Sequence, residues 1–293
     1  MNIIDFTNYE LGNINYGGSE RKLSIVVPDE AGNKCDYMLK FQKNTPFGKR
    51  NNHLSEYIGS HIFEMLGFEA QKTFLGTYKG ENVVACKSFL SSGEQFVPFN
   101  DVGESTLDHD KERYQYEYED IMQMLYDNTK LTQVSEAVEG FWQVFIVDAL
   151  LGNFDRHGAN WGFVKRDGRY SLAPVFDNGS CLFPNMTDED EMKFVMASKE
   201  ETEKRVFEFP TSQVKLKGKK SSYYQVISSV EFEQCNRALL AVMERIDFDA
   251  VIRFIRSIDC ISETHRAFYE HMLVARYRLI LCEPAAKLMG AAK

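Results

Sequence analysis

Residues 152–163 read GNFDRHGANWGF and residues 174–181 read PVFDNGSC. The first stretch follows directly on FWQVFIVDALL (141–151), a strongly apolar run. Val138, Phe141, Trp142, Phe145 and Ala149 fall on one stripe at helical spacing, which predicts a buried helix. That helix delivers an acid, a base, a histidine and an amide at its end. Two short strands are expected next, over 161–168 and 170–176, turning at Asp167–Gly168. They place Asp177 at the end of an apolar strand, two residues before Gly179.

Asp155 precedes Asn160 by five positions. Protein kinases use the same separation in their catalytic loop, where the Asp accepts the hydroxyl proton and the Asn holds a magnesium ion. The residue types follow from the chemistry. A base must sit beside the nucleophile, and a hard cation needs short oxygen ligands close by. Asp177 has the position of the kinase carboxylate that bridges magnesium to the phosphates. Either motif alone could be a turn ending a helix or a cap on a strand. Together, in this order, they predict a magnesium-dependent phosphoryl-transfer site. His157 joins the catalytic group as the residue expected to orient the loop by hydrogen bonding, since magnesium prefers oxygen. Arg156 is expected to hold a phosphate or a neighbouring carboxylate, and Asp148 to be structural.

Working outward, the N-terminal part should supply a phosphate-gripping turn, a lysine and its acidic partner. RKLSIVVPD (21–29) and CDYMLKFQ (35–42) predict a hairpin through the turn DEAGN (29–33). In the second strand Lys40 alternates with Tyr37, Leu39 and Phe41, so it should face the other side, toward the cleft. A helix is expected over 53–68, with Leu54, Ile58, Ile62 and Met65–Leu66 on one face and Glu56 available to pair with Lys40. Strands over 72–80 and 81–90, joined at Lys79–Gly80, lead to Lys87, Ser88 and Phe89, whose backbone could pair with adenine. GNINYGGSERK (12–22) contains Gly12, Gly17 and Gly18 before a strand. Gly17, Gly18 and Ser19 are the candidates for close backbone approach to phosphate.

Residues 91–134 are polar, and DHDKERYQYEYED (108–120) reads as an inserted, solvated segment. The acidic DEDE (188–191) and the lysine-rich VKLKGKKSSYY (214–224) are expected to be exposed loops. Helices are expected near 229–246, 247–257 and 262–282, with Pro284 ending the last. The net charge of −9 argues against broad nucleic-acid binding, which needs basic faces. No apolar run is long enough to span a membrane, and no signal peptide is recognisable, so the cytoplasm is the expected compartment. The six cysteines form no C-x-x-C pair, which argues against zinc; they are expected to be reduced, mostly filling the core.

LLGNFDRHGANWGF with LAPVFDNGSCLF resembles the HipA-like kinases, above all the compact CtkA-type members. The segments SEY (55–57), LGTYK (75–79) and VVACK (83–87) share the likeness, which runs from about residue 5 to 280. The resemblance implies an α+β, two-lobed protein-kinase-like fold of the HipA and phosphatidylinositol-kinase branch. It implies ATP and Mg²⁺ as cofactors and serine or threonine of a protein as acceptor. Asp155 would be the base, Asn160 and Asp177 the metal ligands, Lys40 a phosphate contact, and Lys87–Phe89 the adenine hinge. HipA proteins are toxins, some phosphorylating an aminoacyl-tRNA synthetase. A translation-related protein substrate and a separately encoded antitoxin are therefore the implied partners. HipA's regulatory phosphoserine falls at Asn15 here, with Ser19 and Ser24 nearby. CtkA-type kinases are linked to action on host cells, so the resemblance makes export to a host cell the alternative to the cytoplasm.

The expected organisation is an N-terminal lobe over 1–95, a connector over 96–135 and a helical lobe over 136–293. Two other functions fit the same residues. One is a kinase of a lipid or small molecule, since fold alone does not name a substrate. The other is a pseudokinase that binds nucleotide as an interaction module.

Overall fold

The computed structural model describes residues 3–17, 21–46, 48–103, 117–127 and 134–291. Its first part is a six-stranded sheet built from β1 (Ile4–Asp5), β2 (Glu10–Leu11), β3 (Lys22–Pro28), β4 (Lys34–Phe41), β7 (Thr73–Tyr78) and β8 (Glu81–Lys87). The small hairpin β5 (Asn44–Thr45) and β6 (Gly48–Lys49) leads into helix α1 (Asn52–Met65). The order across the sheet is β1-β7-β8-β4-β3-β2, with only the β1–β7 pairing parallel. The predicted hairpin is present, with Lys22 opposite Lys40.

The two-residue period of β4 sorts its side chains as expected. Tyr37, Leu39 and Phe41 join Phe6, Ile25, Tyr78, Val83 and Ala85 in a small core on one face. Lys40 lies opposite Val84, which belongs to the main core under α1. The lysine is therefore carried to the helix side of the sheet, where it is 5% exposed.

A second sheet follows. β9 (Gln95–Pro98) pairs with β10 (Gly162–Arg166), which pairs with β11 (Arg169–Leu172). The polar stretch 91–134, within which 108–120 reads as an insertion, carries regular structure. It holds β9, α2 (Phe99–Gly103) and α3 (Tyr118–Asp127), while 104–116 lies outside the described residues. Gly162 permits the β9 contact, because a Cβ there would sit 2.3 Å from the Val97 carbonyl oxygen. The buried helix α4 (Val134–Leu151) carries the predicted stripe, with Trp142, Ile146, Val147, Leu150 and Leu151 inaccessible to solvent. Buried Arg276 closes its end, donating 2.7 Å to the Ala149 carbonyl.

The remaining elements are α5 (Glu189–Ala197), α6 (Lys199–Phe207), β12 (Thr211–Leu216), β13 (Lys219–Ser222), α7 (Tyr223–Ser229), α8 (Glu233–Arg245), α9 (Phe248–Arg256), α10 (Glu263–Arg276), a π-helical segment (Tyr277–Cys282) and α11 (Glu283–Ala291). Three expectations are corrected here. The acidic DEDE is not a loop: Asp188 caps α5 by accepting from the Asp190 N–H, and the carboxylates that follow suit the positive end of the helix. The lysine run is a hairpin, turning at Lys217 and Gly218, both at positive φ. Pro284 does not end a helix but sits in the first turn of α11, where its missing N–H is not needed. Cys86, Cys181 and Cys235 are buried; all six cysteines are free thiols. Among the described residues no helix is long and apolar enough to cross a membrane.

Candidate active site

Three distant segments converge on Lys40. Its ammonium donates 2.8 Å to Glu56 Oε2 on α1 and 2.9 Å to Asp177 Oδ1 in the loop after β11. Glu56 is 1% exposed, and its other oxygen accepts from the Asn178 N–H at 3.0 Å. Burial alone would discharge Lys40, but the facing Asp177 and Glu56 carboxylates hold its pKa well above the usual lysine value. Asp177 is also pushed up by burial, yet Lys40, with Arg156 and Lys22 behind it, brings its pKa below the ordinary aspartate value. The Asp177 backbone is left-handed at φ 57°, a region that Asp tolerates better than most residues.

The catalytic-loop candidate is built on the end of α4. Asn153, fully buried, donates 2.9 Å to Asp148 Oδ1 and accepts from the Asp155 N–H at 3.1 Å. Asn160 Nδ2 donates 2.8 Å to the Asp155 carbonyl, so the Asp-to-Asn spacing closes a tight loop. The Asn160 nitrogen being committed there, its amide oxygen is the atom left to ligate. The Asp155 side chain is 47% exposed, and its Oδ1 lies 4.0 Å from His157 Nε2. Burial raises the Asp155 pKa, and the Asp177 charge adds to this, while His157 and Arg50 act in the opposite sense. His157 Nδ1 accepts from the Ala159 N–H at 3.2 Å, and the His157 carbonyl accepts from the Asn160 N–H at 2.8 Å.

Arg156 joins the two loops. It forms a two-pronged ion pair with Asp148, at 2.8 and 3.0 Å, and Asp148 is 1% exposed. It also donates to the carbonyls of Asn160 and Phe176 and to Asn178 Oδ1. Burial works against its charge, but Asp148 keeps it protonated. Of the two expectations for Arg156, the neighbouring carboxylate is the one the geometry supports. Asn178 completes the tie: its Nδ2 donates 3.0 Å to Ser60 Oγ on α1. Gly59 makes room, since a Cβ there would meet the Asn178 Cβ at 2.6 Å. Sequence reasoning missed Asn153, Asn178, Gly59 and Ser60.

The hinge candidates stand where β8 leaves the sheet. The Lys87 N–H donates to the Lys72 carbonyl, the Lys87 carbonyl accepts from Gln71 Nε2, and the Ser88 N–H donates to the Asp36 carbonyl. These backbone groups of the expected hinge are thus already used within the protein. The Phe89 ring packs on Phe176 at 5.5 Å and on Phe96 at 6.1 Å, giving the cleft an aromatic wall next to Asp177. Of the phosphate-turn candidates, the Gly17 carbonyl accepts from Lys22 Nζ at 2.7 Å; Gly18 and Ser19 lie outside the described residues.

Residues 14–247 match the family described as HipA-like C-terminal domain. The serine/threonine-protein kinase CtkA of Helicobacter pylori (strain J99) is 34% identical over 290 residues, covering 96% of this chain and 87% of that protein. The crystal structure of a Helicobacter pylori proinflammatory kinase CtkA matches with a TM-score of 0.90 at 32% identity, covering 99% of each chain. A chain from the Shewanella oneidensis MR-1 complex of HipA, HipB and operator DNA shares the fold, with a TM-score of 0.57 at 15% identity, over 94% of this chain and 68% of that one. The fold is thus the two-lobed, protein-kinase-like one, and the chain belongs to the HipA-like C-terminal domain family as an enzyme of the kinase class.

Proposed function

We propose that this kinase transfers the γ-phosphate of ATP, with Mg²⁺, to a serine or threonine hydroxyl of a protein. The observation that carries the proposal is the pair of Lys40 bonds, 2.8 Å to Glu56 and 2.9 Å to Asp177, which bring strand, helix and loop to one point. In this reading Glu56 fixes the lysine, and the lysine steers phosphate oxygens into the cleft. Asp155 takes the proton of the acceptor hydroxyl, and its half-exposed position leaves it open to an incoming chain.

The donors fit magnesium. Asp177 is held ionised, Asn160 has an amide oxygen to offer, and both are the hard oxygen ligands that the ion takes. Asn160 and Asp177 would hold Mg²⁺, which when bound would neutralise charge on the transferring phosphate. The Arg156 latch ties the backbone of Asn160 to that of Phe176, the residue before Asp177.

Transfer from γ-labelled ATP to proteins of a bacterial lysate tests the proposal. A labelled band that is absent with Asp177→Ala is the expected result, and mass spectrometry then identifies the acceptor residue. Label in lipid or small molecules but not in protein would replace the acceptor class. ATP binding without any transfer would favour the pseudokinase. Asp177→Ala is further expected to abolish the response of residual activity to Mg²⁺; an unchanged magnesium titration would refute its role as ligand.

A further inference from the structure

A cavity of about 300 Å³ opens beside the catalytic-loop candidate. One wall is Phe154, the residue immediately before Asp155. Another is Phe183 with Met186, from the segment that follows Asp177. The third is Phe209, beyond the end of α6. The two loops that carry the proposed base and metal ligand therefore also shape this cavity. Its aromatic rings form a continuous surface, with Phe209 stacked on Phe154 at 5.9 Å and tilted against Phe183 at 6.5 Å. Phe183 is buried at 6%, whereas Phe209 is 49% exposed. A large aromatic side chain left half open on a concave wall offers apolar area to a ligand.

The rim argues against an anionic occupant. Lys204 is paired with Glu201 at 2.9 Å and Glu200 at 3.0 Å, and Arg205 with Glu201 at 2.8 Å. Both cations are thus already neutralised. Glu191, which also reaches Arg205 at 3.3 Å, Glu208 and Asn185 complete a polar rim, while Phe154, Phe183, Met186 and Phe209 form the apolar wall that suits an uncharged side chain.

We infer that this cavity is a substrate subsite that receives a large apolar side chain, such as Phe, Leu or Met, close in sequence to the phosphorylated serine or threonine. The inference rests on the protein-kinase reading. Phe154 immediately precedes Asp155, and the Arg50 guanidinium, which acts on the Asp155 charge, lies 5.6 Å from the Phe154 ring, so the cavity adjoins the place where an acceptor hydroxyl would meet Asp155. An extended peptide advances roughly 3.5 Å per residue, so a side chain within about three positions of the acceptor reaches the cavity. Phe209 is then a specificity-determining residue, touching the substrate but not the reacting atoms.

A positional-scanning library of serine and threonine peptides, labelled from γ-labelled ATP by the full-length protein, tests this. The expected result is selection of an apolar residue at one position within three of the acceptor. Phe209→Ala should erase that selection and lower kcat/KM for the selected peptide about 10-fold or more. The loss should fall on the peptide KM rather than on kcat, and Phe209→Leu should recover most of it. A thermal melt separates this from misfolding, and little change is expected because the ring is half exposed. Labelling without apolar selection, or selection that persists in Phe209→Ala, overturns the subsite. If whole proteins are labelled but no peptide is, the subsite falls and the kinase reading stands. If neither is labelled while ATP binds, the kinase reading fails first.

Discussion

Asp155→Asn is expected to lower kcat by about 10²–10⁴-fold, the usual contribution of a positioned general base. The substitution keeps shape and leaves the loop intact. Asn160 Nδ2 is held by the Asp155 carbonyl and Asn153 Oδ1 by the Asp155 N–H, and neither bond uses the carboxylate. A fall in rate with an unchanged melting temperature would therefore report chemistry. The pH profile gives a second readout. Burial raises the Asp155 pKa, while Lys40 keeps Asp177 ionised to lower pH in spite of its burial. As pH falls, Asp155 is thus the first of the two to be protonated and lost as a base. The wild-type kcat should decline on the acid side above the ordinary aspartate range, and the residual activity of Asp155→Asn should lack that limb. Turnover close to wild type in the variant, with the same acid limb, would remove Asp155 from the role.

The parts of this site that were legible in the sequence depend on short-range rules. The five-residue spacing of Asp155 and Asn160 closes a loop on itself, and strand alternation alone put Lys40 on the helix side of β4. The α+β division was legible for the same reason: the two-residue and helical periods are local. What escaped was set by partners far along the chain. β9 was hidden in a polar stretch because it is a short edge strand, half covered, whose register with β10 no local pattern announces. The lysine hairpin was within reach. Lys217–Gly218 repeats the Lys-Gly turn signal of Lys79–Gly80, and both pairs have positive φ, but the charge of the flanking residues masked it. Arg156 was undecided between phosphate and carboxylate because its partners, Asp148, Phe176 and Asn178, meet only in the folded chain. Gly59 gave no signal in a helical pattern, yet it lets Asn178 approach α1.

Arg156→Ala is expected to destabilise the protein by about 3–5 kcal/mol, the range for breaking a buried ion pair by removing one partner. The cost arises at Asp148, which is 1% exposed and would keep, among the described residues, Asn153 Nδ2 alone as a donor to its carboxylate. Activity should fall as well, by a separable route. Arg156 also holds the carbonyls of Asn160 and Phe176 and the amide of Asn178, and so fixes the spacing of the proposed base loop and the Asp177 loop. Two further variants split these effects. Arg156→Lys keeps the charge but not the planar fork, so it should recover part of the stability and little of the turnover. Pairing Arg156→Met with Asp148→Leu removes the orphaned charge, so its melting temperature should rise above that of Arg156→Ala. Its kcat should stay low, because neither apolar side chain can hold the two carbonyls. Thermal unfolding and steady-state rates on the three variants decide the matter. If the apolar pair regains wild-type turnover, the latch is needed only for folding. If it regains stability alone, Arg156 is the positioning residue that holds the two loops at working distance.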